Sequence, residues 1–189
     1  MKRSLYLLFA VALLAAGCGN RNSKQASVEA PDTPLAAIDR FLVDSIGTHY
    51  SSADVSIPFH SFTVIDKSDP EGIRVLGDFW LMNYIVAGDT LKSVSGGAHP
   101  GAFLLKADAQ GRYEVISFDP VGDGSEFLPS VRRIFGDKAD AFLSADADAE
   151  KREAALQAAI ALFVQEEGLP VHYYQDFGWP AVRIPEAED

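Results

Sequence analysis

A single cysteine, Cys18, stands in 189 residues, so no disulfide can form within the chain and the fold must rest on apolar burial. The four histidines, His49, His60, His99 and His172, include no H-E-x-x-H and no other pair at a metal-binding interval. Neither zinc nor a cofactor is expected. No apolar run reaches the roughly 20 residues that a transmembrane helix needs, the longest being Leu5 to Ala16. Positive charge is scarce too, with 16 Lys and Arg against 27 Asp and Glu and a net charge of −11. A nucleic-acid or anionic-membrane surface needs cations to displace counterions, so nucleic acid is excluded as a partner.

What is present at the N-terminus is a secretion signal. Lys2 and Arg3 precede an apolar run that closes on small residues at A-A-G-C, residues 15–18. This resembles the lipobox of bacterial lipoproteins. The resemblance implies cleavage after residue 17, a diacylglyceryl group on Cys18 and usually an acylated new N-terminus. Two or three chains at about 0.8 kcal/mol per buried methylene would hold a protein on a membrane stably. Losing residues 1–17 removes Lys2 and Arg3 and no acid, so the charge moves from −11 to −13. The membrane would then be a partner through the lipid alone. Residues 19–33, G-N-R-N-S-K-Q-A-S-V-E-A-P-D-T, are too polar to order themselves and read with Cys18 as a flexible tether. No acidic run follows Cys18, so display in the periplasm of the cell envelope is the default.

Residues 34–185 read as one α+β domain, with residues 186–189 as a fraying tail. Thr33 is a cap and Pro34 a first residue for a helix carrying Leu35, Ile38, Phe41, Leu42 and Ile46, with Gly47 as its stop. The stretch Arg74 to Asp119 reads as an antiparallel meander, both parities of its longest strand being apolar. An earlier strand runs from Pro58 to Asp66, and reversals are expected at Ser68–Gly72, Ala87–Asp89, Gly96–Gly97 and Ala109–Gly111. That makes four or five strands. Helices follow: one capped by Ser125 and ended by Gly136, a turn or two over Ala139–Leu143, and a long one from Asp148 to Glu167 with Leu156, Ala159, Ile160, Phe163 and Val164 as its buried stripe. The expected architecture is an N-terminal helix packed on the meander, then C-terminal helices.

Candidate sites compete with plainer roles. In S-G-G-A-H-P-G, Ser95 to Gly101, the glycines permit close backbone approach and His99 is a candidate acid, base or ligand; the plainer role is a bulged hairpin connection. The spacing is neither a P-loop nor a nucleophile elbow, which weakens Ser95 as a nucleophile. Asp119, Asp123, Ser125 and Glu126 offer oxygen ligands of the kind calcium takes, or simply a strand-to-helix turn. Asp146, Asp148 and Glu150 start like an EF-hand, but Lys151 and Gln157 occupy its obligatory glycine and glutamate positions. Trp80, Tyr84, Tyr173, Tyr174, Phe177 and Trp179 are core material or the lining of a contact surface, with Y-Y-Q-D-F-G-W the densest candidate.

The segments G-D-F-W-L-M-N-Y, G-D-T-L, S-G-G-A-H-P-G, Y-E-V-I-S-F-D, D-G-S-E-F and I-F-G together are similar to a family of uncharacterised bacterial secreted proteins and lipoproteins, across about residues 74–180. That resemblance implies no activity and no catalytic residue. The element order is also similar to cystatin-like and NTF2-like folds, which host enzymes and binding modules alike. Two functions are therefore carried forward. The first is a non-catalytic, lipid-anchored module that binds an envelope protein or a small ligand. The alternative is a small periplasmic hydrolase or isomerase using His99 and a nearby carboxylate in a sheet-lined pocket.

Overall fold

The computed structural model describes residues 32–68 and 71–187. The signal peptide, Cys18 and nearly all of the expected tether lie outside the described residues, as do residues 69 and 70 of the Ser68–Gly72 turn and the last two residues of the tail. The fold is α+β, as expected: one helix, a mixed seven-stranded sheet, then three helices and a short hairpin from the tail.

Helix α1, Pro34–Phe41, starts as its sequence dictates, with the Thr33 hydroxyl accepting from Ala36 N at 3.1 Å. Gly47 does not stop it. The chain continues through a π turn, Leu42–Ile46, and a 3-10 turn, Gly47–His49, because Gly47 keeps right-handed dihedrals. The Asp32 carboxylate binds Arg40 at 2.7 Å and the Tyr113 amide at 2.5 Å.

Strand β1, Val55–Asp66, pairs antiparallel along most of β2, Ile73–Ala87. It begins three residues before the expected start, and Pro58 is tolerated because β1 is a sheet edge. On its other side β2 meets two strands in succession. Its C-terminal half pairs with β3, Thr90–Ala98, and its N-terminal half with β4, Gly101–Ala107, both antiparallel. The chain therefore does not reverse at Gly96–Gly97, and the expected hairpin connection there is corrected. Residues 90–107 form one long strand, kinked where Pro100 has no amide to give the ladder. His99 N still donates to Phe79 O at 2.7 Å across the kink.

Strand β5, Tyr113–Pro120, pairs only with β4. That leaves the outer edge of β3 open. The tail fills it: β6, Tyr173–Gln175, adds parallel to β3, and β7, Val182–Arg183, pairs back on β6. These two short strands raise the count above the four or five expected.

Each face of the sheet is covered. On one face Ile38 and Leu42 pack on Val75, Phe79, Leu81 and Phe103, and Phe103 contacts Phe79 edge-on at 5.0 Å and stacks on Phe118 at 4.2 Å. The other face carries α2, Phe127–Phe135, α3, Ala139–Asp146, and α4, Ala149–Glu167. Ser125 does not cap α2; it lies inside a 3-10 turn, Gly124–Glu126, while Ser130 Oγ accepts from Gly122 N at 2.9 Å. Asp148 caps α4 through Lys151 N at 3.0 Å, and Gly168 ends it in the left-handed conformation, φ 61°. Among the described residues no helix is long and apolar enough to cross a membrane.

The aromatic junction of Phe79 and Phe103 is fully buried, so Phe79→Ala should cost about 3–5 kcal/mol, the usual range for an emptied phenylalanine site. Urea unfolding should show a lower midpoint with an unchanged slope. A cost below about 1 kcal/mol would mean that this face is not packed as described.

Candidate ligand-binding cleft

Side chains alternate along a strand, so β2 sends Leu76, Asp78, Trp80, Met82 and Tyr84 toward the helices α2 to α4. At the Tyr84 end, α4 crosses above and the β6–β7 hairpin closes the side. Between them lies a cleft of about 460 Å³ lined by Tyr84, Glu153, Leu156, Tyr174, Asp176, Trp179, Pro180 and Val182. Three of the aromatic residues singled out in the sequence, Tyr84, Tyr174 and Trp179, meet here from positions far apart in the chain.

Their environments differ. Tyr174 is buried, and its hydroxyl donates to Glu153 Oε1 while accepting from Gln157 Nε2 at 3.0 Å. Burial, and then the hydrogen bond to the Glu153 carboxylate, push its phenol up to about 12. Tyr84 is only 1% exposed; its hydroxyl makes no hydrogen bond among the described residues, and it is not one of the side-chain atoms sealed from solvent, so the little exposure it has is toward the cleft. Burial holds its phenol well above the ordinary tyrosine range, and the negative charges of Asp176 and Glu153 add to the effect. Trp179 is 70% exposed at the rim, held by a tight turn in which Trp179 N donates to Asp176 O at 2.8 Å and Gly178 takes φ 73°.

The remaining candidates lie elsewhere. Trp80 is half-buried under α4, stacked on Phe59 with centroids 5.7 Å apart; its Nε1 donates to Asp78 Oδ2 at 2.8 Å and the Arg152 guanidinium sits 5.4 Å over its ring. Tyr173 points away from Tyr174, as strand alternation requires, and is exposed, as is Phe177. Ser95 Oγ accepts from Asn83 Nδ2 at 3.2 Å and has no histidine partner among the described residues. His99 is on the α1 side, its Nε2 3.0 Å from Tyr50 Oη. Asp119 is not its partner: that carboxylate is held by both terminal nitrogens of Arg133, at 2.5 and 2.9 Å. His60, also on the α1 side, lies within electrostatic reach of Asp39, whose carboxyl is raised chiefly by burial. No group of three potential metal ligands occurs among the described residues.

Asp78 was not singled out in the sequence. It is fully buried mid-strand, its Oδ2 accepting from Trp80 and, at 2.6 Å, from Ser61 Oγ, which a bulge in β1 turns toward it. A charged residue inside a strand apolar on both faces is the signal that could have found it. A larger depression, about 500 Å³, lies at the end of α2, but its cations are engaged: Arg133 with Asp119, Lys138 with Asp137 and Arg74 with the Ile134 carbonyl. No protein-family model, no curated protein and no solved structure matches this chain.

Burial lowers the His99 pKa from its ordinary 6.5. The unfolded chain therefore takes a proton near that pH that the folded chain refuses. Stability from this site is fully present above about 6.5 and is lost as pH falls below it. Urea midpoints at about pH 5.5 and about pH 7.5 should rise with pH, and His99→Asn should shrink the rise. An unchanged difference in the variant would show that His99 is not protected from protonation.

Proposed function

We propose that the chain is a membrane-anchored envelope lipoprotein whose folded domain is a non-catalytic binding module, with the Tyr84–Tyr174–Trp179 cleft as its site. The observation that carries the site is the Tyr84 hydroxyl, which tips an otherwise buried side chain into the floor of the cleft and makes no hydrogen bond among the described residues. A ligand atom there would supply the missing hydrogen bond while Leu156, Pro180, Val182 and the rings cover its apolar part. Volumes of about 300–1,000 Å³ are usual for small-molecule sites, and this one falls within that range. The anchor rests on the N-terminal A-A-G-C, on the position and uniqueness of Cys18 and on the acidic charge that makes a lipid the means of attachment.

Chemistry at His99 is disfavoured by its surroundings. A general base needs a proton to take and an acid to orient it. The His99 ring nitrogen is already bonded to Tyr50, and Asp119 is committed to Arg133. Ser95 belongs to a Ser56–Asn83–Ser95 chain of hydrogen bonds at 2.6 and 3.2 Å.

Full-length protein extracted from membranes should carry a small molecule detectable by native mass spectrometry. Cys18→Ala should leave the membrane fraction. Tyr84→Phe removes a hydroxyl that satisfies no protein group, so its melting temperature should match the wild type or exceed it, while the retained molecule is lost. Wild-type protein free of any retained molecule, together with a destabilised Tyr84→Phe, would make the hydroxyl structural and end this assignment.

A further inference from the structure

The cleft has two carboxylates and no cation among its lining residues. The nearest arginines turn elsewhere: Arg152 lies over Trp80 and donates to the Asp146 carbonyl at 2.9 Å, and Arg183 lines a separate depression on the other side of the β6–β7 hairpin. Glu153 spends part of its charge on Tyr174 and Gln157. Asp176 is exposed; one of its oxygens accepts from Phe177 N at 2.9 Å and the other has no partner among the described residues. An anionic ligand would meet two like charges and no counter-ion. A neutral ligand would leave the field of both carboxylates uncompensated.

Aromatic rings beside carboxylates suit one ligand chemistry in particular. The face of a tyrosine or tryptophan carries negative charge density and attracts an organic cation by roughly 0.5–2 kcal/mol, more as water is excluded. Here Tyr84, Tyr174 and Trp179 supply the rings, Leu156, Pro180 and Val182 an apolar wall, and Glu153 and Asp176 the counter-charge. The raised phenols of both tyrosines keep them neutral, so the Tyr84 oxygen can accept a hydrogen bond from an N–H. The excess of acids over bases in the whole chain adds a long-range attraction for cations.

Resting on the binding-module assignment above, we infer that the ligand of this cleft is a small organic ammonium ion with an apolar body, its charge held between Asp176, Glu153 and the rings and one N–H directed at the Tyr84 hydroxyl.

Three probes with one ring and three charges test this: benzylamine, protonated at neutral pH, benzyl alcohol and benzoate, titrated calorimetrically into the full-length protein in a neutral detergent. Benzylamine should bind about tenfold or more tighter than benzyl alcohol, and benzoate should not bind. The preference, read as the ratio of the two affinities in the same protein, should fall severalfold in Asp176→Asn. Asp176 carries the variant because it is exposed, whereas Glu153 also positions Tyr174. Equal affinity for benzylamine and benzyl alcohol, binding of benzoate, or an Asp176→Asn variant that keeps the full preference overturns the charge inference and leaves the cleft as a binding site. No saturable binding of any of the three, in protein that retains no molecule from the membrane, overturns the site as well.

Discussion

Everything in the domain depends on covering β2. Its 15 residues carry bulky side chains on both faces, and both edges need hydrogen-bond partners, so no isolated hairpin could satisfy it. Strand β1 takes one edge along most of its length; β3 and β4 share the other. Phe79 and Leu81 on one side draw in α1 and the turns after it, while Leu76 and Tyr84 on the other require two separate helical covers, α2 with α3 and α4. The chain order of helix, meander and helices follows from those two faces.

The kink at His99–Pro100 is what turns a plain meander into a sheet with a cleft at one edge. A proline in mid-strand interrupts the ladder, and β5 returns along β4 only. The outer edge of β3 would otherwise stay exposed, and unpaired edges invite association. Closing it with the tail places β6 parallel to β3 and carries Tyr174 into register with Leu91, beside Tyr84 under α4. The turn that follows sets Trp179 and Asp176 at the rim. The cleft is thus a by-product of edge protection, and the glycines of S-G-G-A-H-P-G serve close packing: a Cβ on Gly96 would sit 2.7 Å from the Leu81 carbonyl oxygen.

Polar groups inside the domain are divided between the two faces. Asp78 Oδ2 joins Ser61 and Trp80 on the helix side, with Arg152 adding charge over the indole, while Asp78 Oδ1 is buried without a partner among the described residues. On the α1 side, Tyr50–His99 and Ser56–Asn83–Ser95 tie the turns and strands together. These networks favour a single arrangement of the sheet over slipped alternatives, since each buried donor loses its partner if the register moves.

Local signals in the chain were enough for some helix ends, because a cap is a contact between neighbours: Thr33 with Ala36, Asp148 with Lys151, Gly168 after Glu167; they misplaced others, since Gly47 continues the first helical segment and Ser125 does not cap α2. The apolar run on both parities of β2 likewise announced a central strand. Composition alone named the aromatic tail as more than a fraying end, and it put Tyr84, Tyr174 and Trp179 on an undivided list with Trp80, Tyr173 and Phe177. What it could not show was which of those side chains meet. Gly96–Gly97 reads as a turn locally, and only the pairing of β3 and β4 with the same strand makes it a kink. Asp119 and His99 look like partners in the chain, yet Arg133, 14 residues beyond Asp119, claims the carboxylate. The cleft itself exists because β6 adds to β3 across some 80 residues of chain, a long-range pairing that no local pattern encodes. The sequence by itself determined the elements and their apolar faces, since these follow from neighbouring residues; tertiary packing decided the site, since a hydroxyl is left unpaired or a carboxylate unopposed only by what the rest of the chain brings to it.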